Sequence, residues 1–392
     1  MRVDLTDPWK ELYERFREFG EKSLSTDVVE RDRTGTFAQD DWRLCAEQGV
    51  QALMLPAAYG GAGADAAAYA RAMEGLGYGC LDNGLLMALG AHILAVQLPI
   101  LEFGDDDQRR RYLPELASGR LIGANAMSEA GSGSDAMALA CKAERDGDGY
   151  RLTGHKRYVT NGPTAGVFVV YATIDSRLGF TGVTAFLVER DDPGLSVRDG
   201  SERMGLRTVP WGELEFDGCR IPATRRLGAE KQGSRIFARS MAWERALLLA
   251  PWLGVMQREI EHCVDFSRQR RQFGRHIGHY QSVSNRLVDM WIRYEACRMF
   301  TYRAADHLSA GGRDLLPEAA KLFIGDAAVH TFQDVLQVYG ALGYTKQGRA
   351  ERHLRDALGM SLSSGTADLQ RLMIADRLGI TQPHRFTPGG TP

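Results

Sequence analysis

The chain has 392 residues, of which 44% are hydrophobic and 25% are charged, a globular composition that allows a large core. Its formal net charge of -2 excludes the strongly basic balance of many nucleic-acid-binding proteins. From the length we expect two or three domains. We expect no membrane-spanning apolar run, and no signal peptide, because the first residues are charged and amphipathic.

The six cysteines are dispersed and form no CxxC pair. This spacing argues against a disulfide framework or a zinc site, and it predicts a reducing, cytoplasmic location. His276 and His279 are the closest pair of histidines. Since no third ligand lies near them in the sequence, we interpret the pair as part of a polar loop rather than a metal site.

Residues 1–121 are predicted to form an N-terminal helical domain. Apolar residues at helical spacing in "WKELYERFREF" indicate a first helix, and "AYARAMEGLGYG" and "NGLLMALGAHILAVQLPILEFG" indicate further helices. A glycine-rich loop is predicted at residues 55–65. The stretch 105–119 begins with aspartates and ends at Gly119, the pattern of a short capped helix.

Residues 122–231 are predicted to form a middle β domain. Short β-branched and aromatic runs, such as "GVFVVYAT", "GVTAFLVER" and "GELEF", alternate here with turn signals. The sequence "RDGDGYRLTG" predicts a hairpin turn between two strands.

Residues 232–392 return to the helical period and are predicted to form a C-terminal helical domain. We expect one long helix bent at Pro251, followed by helices near Gln281–Leu308, Pro317–Tyr339 and Thr366–Leu378. The order of helices, strands and helices predicts an α+β fold with a small β domain between two helical domains.

The segment "SEAGSGSDAMAL" (128–139) is a candidate for ligand binding. It formally fits the G-x-G-x-x-A dinucleotide fingerprint, but alternating residues and a turn follow it instead of a helix, which argues against a Rossmann fold. Its backbone N–H groups and hydroxyls could hold a polar ring or a phosphate. A plain structural turn is the alternative.

Two further segments allow both a binding and a structural interpretation. In "SRQRRQFGRHIGHYQSV" (267–283), arginines surround Phe273. They could pair with a phosphate beside a stacking aromatic ring, or they could form a solvated helix end. The glycines of "QVYGALGY" (337–344) could end a helix or admit a ligand close to the backbone.

Glu244 is the most informative single residue. It lies in "SMAWERALLLAPWLGV", where a helix places Leu247, Leu248, Pro251 and Val255 on its face. Carboxylates are rarely buried without a partner. Glu244 therefore either pairs with a basic group or lines a cavity, and a carboxylate in an apolar cavity has the raised pKa that suits a general base.

Taken together, these segments resemble the acyl-CoA dehydrogenase family of flavoproteins over nearly the whole chain. The matching motifs are, in order, "LPAAYGGAG", "FGDDDQRRRYLPELASGRLIGANAMSEAGSGSD", "GHKRYVTNG", "GLRTVPWGELEFDGCRIPATRRLG", "RRQFGRHIGHYQSV", "QVYGALGYTKQGRAERHLRDAL" and "SGTADLQRLMIA". The resemblance implies an N-terminal helical domain, a middle β domain and a C-terminal four-helix domain. It also implies FAD as the cofactor and a homodimer or homotetramer.

The resemblance assigns several residues to FAD. One group is implied to surround the flavin ring, and a second group is implied to reach the pyrophosphate and adenine end across a subunit interface or to make further contacts. The first group is Met127, Ser128, Ser134, Tyr158 and Thr160. The second group is Arg270, Gln272, Phe273, Gln281, Gln337, Gly340, Ala341, Thr366 and Asp368.

The family reaction is the α,β-dehydrogenation of an acyl thioester, in which a glutamate removes the α proton while the β hydride passes to flavin N5. In most members that glutamate directly precedes the Gly-Thr of the last motif, where this chain has Ser364. A serine hydroxyl without a histidine cannot act as this base. A minority of members carry the base on the long helix, at the position of Glu244. The resemblance thus implies Glu244 as the catalytic base, with Arg245 and Ser364 beside the substrate.

Met127, Ser128 and "SMAWER" resemble members that act on carrier-protein thioesters in natural-product pathways, especially the prolyl-carrier-protein oxidases. These convert a prolyl thioester to a pyrrole thioester. A short or branched acyl-CoA is the main rival substrate. Two competing hypotheses change the function itself: a flavin oxidase or monooxygenase that does not desaturate thioesters, and a non-catalytic flavin-binding relative.

Overall fold

The computed structural model of the protein describes residues 9–136, 138–312 and 315–380. The outer ends of the two predicted helical domains, residues 1–8 and 381–392, lie outside the described residues. Met137 of the predicted glycine-serine loop lies outside them as well. The described elements run in the predicted order of helices, strands and helices.

The N-terminal part is helical as far as Ala117. Its helices are α1 (Lys10–Ser23), α2 (Val28–Thr34), α3 (Gln39–Glu47), α4 (Ala66–Gly79), α5 (Asn83–His92), α6 (Leu98–Phe103) and α7 (Asp106–Ala117). Aspartate side chains cap three of them, α4, α5 and α7, because a carboxylate satisfies backbone N–H groups that have no helical partner. Asp65 accepts a hydrogen bond from Ala68 at the start of α4, and Asp105 forms a capping box with Gln108 at the start of α7.

The stretch Asn83–Phe103 corrects one expectation from the sequence. It is a helical run of 21 residues that is apolar enough, by length and composition, to cross a membrane. Most of it is buried inside the protein, including Leu85, Leu89 and Leu94, which have no exposed surface. We therefore interpret it as a core helix of the helical part.

The middle part is a mixed β-sheet. Its strands are β1 (Gly123–Ala126), β2 (Lys142–Asp146), β3 (Gly149–Thr160), β4 (Val167–Thr173), β5 (Val183–Glu189), β6 (Leu195–Asp199), β7 (Trp211–Pro222) and β8 (Arg226–Leu227). They hydrogen-bond in the order β6-β7-β3-β2-β4-β5-β8, and β1 pairs with β4 in parallel. The predicted hairpin is confirmed, since Asp146 pairs with Gly149 across a turn in which Gly147 has a φ of 62°.

Strand β4 is buried on both faces, and its alternation decides which side chains face the helices. Val169 and Tyr171 belong to an apolar cluster that also contains Ile236 of the following helical part. Phe168 and Val170 belong to the cluster on the opposite face of the sheet. Because successive strand residues point to opposite faces, Tyr171 lies on the helical side.

The C-terminal part is again helical. Its elements are α8 (Gly233–Leu247), α9 (Ala250–Gln269), the short strands β9 (Arg271–Gln272) and β10 (Arg275–His276), α10 (Gln281–Ser309), α11 (Leu316–Tyr339), α12 (Ala350–Leu362) and α13 (Ala367–Arg377). The α+β fold predicted from the sequence is confirmed.

Two details of the C-terminal part differ from the predictions. The expected single long helix is interrupted at Leu248 and Leu249, and Pro251 lies in the first turn of α9, where its missing N–H group costs no helical hydrogen bond. Helix α12 is an additional helix that we did not predict. Its buried face carries polar residues, including Arg352 and Asp356, so it lacks a plain apolar period.

Candidate active site

Glu244 lies near the end of α8 and is 8% exposed. Burial raises the pKa of its carboxyl to about 7, and the Ser364 hydroxyl and the charge of Arg245 offset part of that rise. The guanidinium of Arg245 pairs with Glu318 instead of with Glu244. A carboxylate with a pKa near neutrality is ionised for a large part at physiological pH and still accepts a proton readily, as a general base requires.

Ser364 contacts Glu244 directly. Its hydroxyl donates a hydrogen bond to Oε2 of the Glu244 carboxylate. Ser364 has a φ of 52° and Gly365 a φ of 91°, so the chain turns sharply between α12 and α13. The position that holds the base in most of the resembled family therefore adjoins the predicted base on α8.

Two side chains hold the carbonyl group of Ser364. Nε of Arg245 donates to this oxygen at 3.3 Å, while Nη1 of Arg245 pairs with Glu318 at 2.9 Å. Nε2 of Gln370 donates to the same oxygen at 3.2 Å. Arg245 is thus a structural neighbour of the predicted base, and its contact with substrate stays a prediction.

Lys321 of α11 holds the same turn by binding backbone carbonyl groups of that turn. Its Nζ donates to the carbonyl oxygens of Ser361 at 2.7 Å and Gly365 at 2.6 Å. Burial, with a further contribution from the nearby Arg245 charge, lowers the pKa of Lys321 to about 8. Lys321, Arg245 and Gln370 together fix the turn that places the Ser364 hydroxyl on Glu244.

A buried ion pair fixes the start of the glycine-serine loop. Lys156 of β3 has no exposed surface, and its Nζ donates to the Met127 carbonyl at 2.9 Å and to Oε1 of Glu129 at 2.7 Å. Glu129 also accepts hydrogen bonds from the backbone N–H groups of Ala140 and Cys141, at 2.7 and 3.1 Å. Both ends of the loop are therefore bound to one carboxylate.

The same loop is joined to the predicted flavin-binding end of β3. The backbone N–H of Arg157 donates to the Ser128 carbonyl at 2.8 Å. The next residue, Tyr158, has a φ of 60° and a side chain that is 54% exposed, and Thr160 ends the strand. Met127, Ser128, Tyr158 and Thr160 thus lie on adjoining segments, and Ser134 is exposed in the loop itself.

Thr366 and Asp368 follow the Ser364 turn at the start of α13. The Thr366 hydroxyl accepts a hydrogen bond from the backbone N–H of Leu369 at 3.2 Å and caps the helix. Asp368 is exposed in the first turn. These two predicted FAD contacts therefore lie on the Glu244 side of the protein.

Other predicted FAD contacts lie at the far end of α9. This helix has 20 residues and is about 30 Å long. Arg270 follows its last residue, and Gln272 and Phe273 lie on the β9–β10 hairpin, where Phe273 is 93% exposed. Gln281 begins α10 immediately after this hairpin.

The end of α11 lies beside the end of α9. The rings of Phe266 and Tyr339 are 4.9 Å apart, which brings the exposed Gln337, Gly340 and Ala341 to the same end of the helical part. A single chain therefore separates Thr366 and Asp368, on the Glu244 side, from the predicted FAD contacts at the far end of α9.

The residues of the first group, on and beside the glycine-serine loop, fit a flavin ring. The exposed Tyr158 ring, 5.3 Å from the ring of Trp211, offers an aromatic edge to a planar ligand. A side chain added at Gly131 or Gly133 would meet nothing within 4 Å, so open space adjoins the glycine-serine loop. Aromatic, hydroxyl and open backbone groups are the set that a polar, planar ring requires.

Family comparisons identify the class of protein. The acyl-CoA dehydrogenase N-terminal domain matches residues 6–120, the middle domain matches residues 124–219 and the C-terminal domain matches residues 231–379. The chain belongs to the acyl-CoA dehydrogenase family, as the sequence predicted.

Individual relatives indicate which members of that family the chain resembles. An L-prolyl-[peptidyl-carrier protein] dehydrogenase of Pseudomonas fluorescens is 41% identical over 344 residues, or 87% of this chain and 90% of that protein. The prolyl acyl carrier protein oxidase AnaB has a TM-score of 0.94 at 40% identity, covering 95% of this chain and 99% of AnaB. A structure of PigA with FAD and proline has a TM-score of 0.93 at 34% identity, covering 97% and 100%. The predicted resemblance to carrier-protein-dependent members is confirmed.

The sequence did not reveal the buried polar residues that hold the site together. Lys156, Lys321 and Gln370 are remote from Glu244 along the chain, and each acts by binding backbone carbonyls or a carboxylate. Of the three residues, only Lys156 could have been noticed in the sequence. It is a charged residue at a strand position that the alternating pattern assigns to the buried face. Lys321 and Gln370 lie on helices where lysine and glutamine are ordinary surface residues.

Proposed function

We propose that this enzyme oxidises an acyl thioester tethered to a carrier protein, with a prolyl group as the first candidate, and that Glu244 removes the α proton. The observation that carries the proposal is the buried Glu244 carboxylate, whose pKa is about 7 and which accepts the Ser364 hydrogen bond. The names of the relatives support the carrier-bound prolyl group. The predictions of an enzyme and of FAD as its cofactor are confirmed by the family and by the FAD-bound PigA structure.

Proton removal is the step that the protein's own residues perform. An α proton beside a thioester is weakly acidic, so the base must be close and the carbonyl must be polarised. The Glu244 carboxylate takes this proton as the Cα–H bond breaks, while Ser364 orients the carboxylate. FAD, when bound, accepts the β hydrogen with its electron pair. One round forms an α,β-unsaturated thioester, and two rounds, with the flavin reoxidised by an external oxidant between them, convert a prolyl ring to a pyrrole ring.

The assignment of FAD to two groups of residues supports a homo-oligomer. Met127, Ser128, Tyr158 and Thr160 would hold the ring within one chain. The residues on the β9–β10 hairpin, at the start of α10 and at the end of α11 lie at the far end of α9, a helix about 30 Å long that follows the helix of Glu244. In the proposed oligomer these residues reach the FAD of a partner subunit.

An exposed apolar row on α10 supports the same proposal. Val288, Trp291, Ile292 and Met299 are each more than half exposed, at 53, 53, 52 and 68%. Large apolar side chains clustered along one helix mark a surface that another protein covers. A second copy of the chain is the proposed cover.

The cellular setting also remains a proposal. All six cysteines are buried and free, which supports the expected reducing, cytoplasmic location. A place in a natural-product pathway is supported by the carrier-protein substrates in the names of the relatives.

A substrate panel tests the proposed function. Prolyl, butyryl and isovaleryl groups are presented both on a carrier protein and on CoA, and flavin absorbance and product mass are followed. We expect the prolyl-carrier thioester to bleach the flavin without oxygen, with loss of two hydrogens, and to lose four hydrogens in total once an added oxidant, such as oxygen, reoxidises the flavin between two rounds. Turnover of the CoA thioesters alone would overturn the carrier proposal, and a flavin that no thioester bleaches would overturn thioester oxidation.

A further inference from the structure

Two buried hydroxyl groups near Glu244 have no hydrogen-bond partner among the described residues. They are the phenol of Tyr171 on β4 and the hydroxyl of Ser240 on α8. Tyr171 has no exposed surface and Ser240 is 1% exposed. Leaving a buried hydroxyl unpaired is unfavourable, so such a group is stabilised when a bound molecule supplies the partner.

The hydroxyls of Tyr171 and Ser240 differ in position from other buried groups that have no hydrogen-bond partner among the described residues. Tyr69 of α4 also has a buried hydroxyl without a partner among the described residues, but burial alone raises the pKa of its phenol, whereas the Glu244 carboxylate adds to the raised pKa of the Tyr171 phenol. Tyr171 and Ser240 instead lie beside the proposed base. An unpartnered hydroxyl alone is therefore not a site, and these two hydroxyls matter because of where they lie.

Three observations place both hydroxyls on the Glu244 side of α8. Ser240 and Glu244 are four residues apart, so they lie one turn apart on the same helix face. Phe237, one turn earlier, meets the Tyr171 ring edge to face with centroids 5.4 Å apart. Burial and the nearby Glu244 carboxylate both raise the pKa of the Tyr171 phenol, which keeps it a hydrogen-bond donor.

The chemistry of the acyl group decides whether these hydroxyls find partners. A hydrocarbon acyl chain has no polar atom and would leave both unpaired. In a prolyl thioester the ring nitrogen is bonded to Cα, the atom that the base must approach. A phenol can donate to the lone pair of the unprotonated ring amine, and a serine oxygen can accept from the N–H of that amine.

We propose that Tyr171 and Ser240 form the subsite that recognises the α nitrogen of the acyl group, and that they select α-amino acyl thioesters against hydrocarbon ones. The inference rests on the proposed function for its thioester substrate. It adds the residues that determine specificity and names the substrate atom that they recognise, the α nitrogen. A site built around hydrogen bonds rejects an analogue that lacks the polar atom, because its own groups are then left unpaired.

A matched pair of substrates tests this subsite. Cyclopentanecarbonyl-carrier protein has the ring size of prolyl-carrier protein with a methylene in place of the N–H. We expect the wild type to prefer prolyl by about 10–100-fold in kcat/KM. In Tyr171→Phe and in Ser240→Ala, that preference should fall by about tenfold or more. The kcat/KM for the prolyl substrate should fall, while the kcat/KM for the cyclopentanecarbonyl substrate stays the same or rises. The control Tyr69→Phe removes an unpartnered hydroxyl elsewhere and should keep the wild-type ratio.

A binding measurement keeps this test separate from the proposed function. Dissociation constants of both carrier proteins are measured in the Glu244→Gln background, with and without Tyr171→Phe and Ser240→Ala, after FAD content and thermal unfolding confirm folded protein. Loss of the prolyl preference in binding supports the subsite even where no turnover occurs. An unchanged ratio, or an equal loss for both substrates, overturns the subsite and leaves thioester oxidation standing.

Discussion

The hydroxyl of Ser364 donates a hydrogen bond to the carboxylate of Glu244, although 120 residues separate them in the sequence. Ser364 occupies the position where most of the resembled family carry the catalytic glutamate. The contact brings two distant backbone positions to one small region of the candidate site. We infer that a carboxylate at either position reaches this region.

The pKa of Glu244 predicts the pH dependence of the reaction. A base must be unprotonated, and burial raises the pKa of this carboxyl to about 7. We expect kcat/KM for the thioester to fall as the pH drops below about 7 and to level off above it. The pH profile of anaerobic flavin reduction checks this. A profile that stays flat down to pH 5 would contradict a base with a raised pKa.

Replacement of Ser364 should change that profile in a defined direction. The Ser364 hydrogen bond favours the charged form of Glu244, so Ser364→Ala should raise the pKa of the carboxyl and shift the rising limb to higher pH. Ser363→Ala is the matched control, because the Ser363 hydroxyl donates to the Met360 carbonyl instead. A shift to lower pH, or equal shifts in both variants, would argue against the role of Ser364.

Much of the fold was predictable from the sequence, because helical and strand periods are local. The break before Pro251 and helix α12 were missed for different reasons. The break depends on how α8 and α9 pack, and α12 buries Arg352 and Asp356, which disturb its apolar period. Glu244 could be singled out because a carboxylate on an apolar helix face is unusual, but its assignment as the base came from the family resemblance and stays a prediction.

The supports of the site could not be predicted in the same way. Lys321 reaches the Ser364 turn only because α11 and α12 pack together, and this contact leaves no trace in local sequence. Tyr171 likewise appears in the sequence as one more aromatic residue of a strand. Its place near Glu244 depends on how the sheet packs against α8.

The ion pair of Lys156 and Glu129 should matter for stability and for FAD. Lys156→Met leaves the Glu129 carboxylate buried without its cation, which costs about 3–5 kcal/mol, and it frees the Met127 carbonyl. We expect a lower free energy of unfolding and less bound FAD. Adding Glu129→Gln to the Lys156→Met variant should restore part of the lost free energy of unfolding, since it removes the unpaired charge. Unfolding identical to the wild type would contradict this role.

The apolar row on α10 predicts the behaviour of a charged variant. Trp291→Glu places a carboxylate in the proposed subunit interface, so we expect a smaller species in sedimentation and loss of FAD. Phe180→Glu is the control, because Phe180 is exposed to a similar extent, 58% against 53%, on a loop of the β part. If Trp291→Glu sediments as the wild type does, this face is not the interface.

Glu244→Gln tests the central claim most directly. The amide keeps the size of the side chain and a hydrogen-bond acceptor for Ser364, but it cannot take a proton. Single-turnover reduction of the flavin by prolyl-carrier protein, measured without oxygen at matched FAD content, should slow by about 100- to 10,000-fold. A rate within about threefold of the wild type would contradict Glu244 as the base.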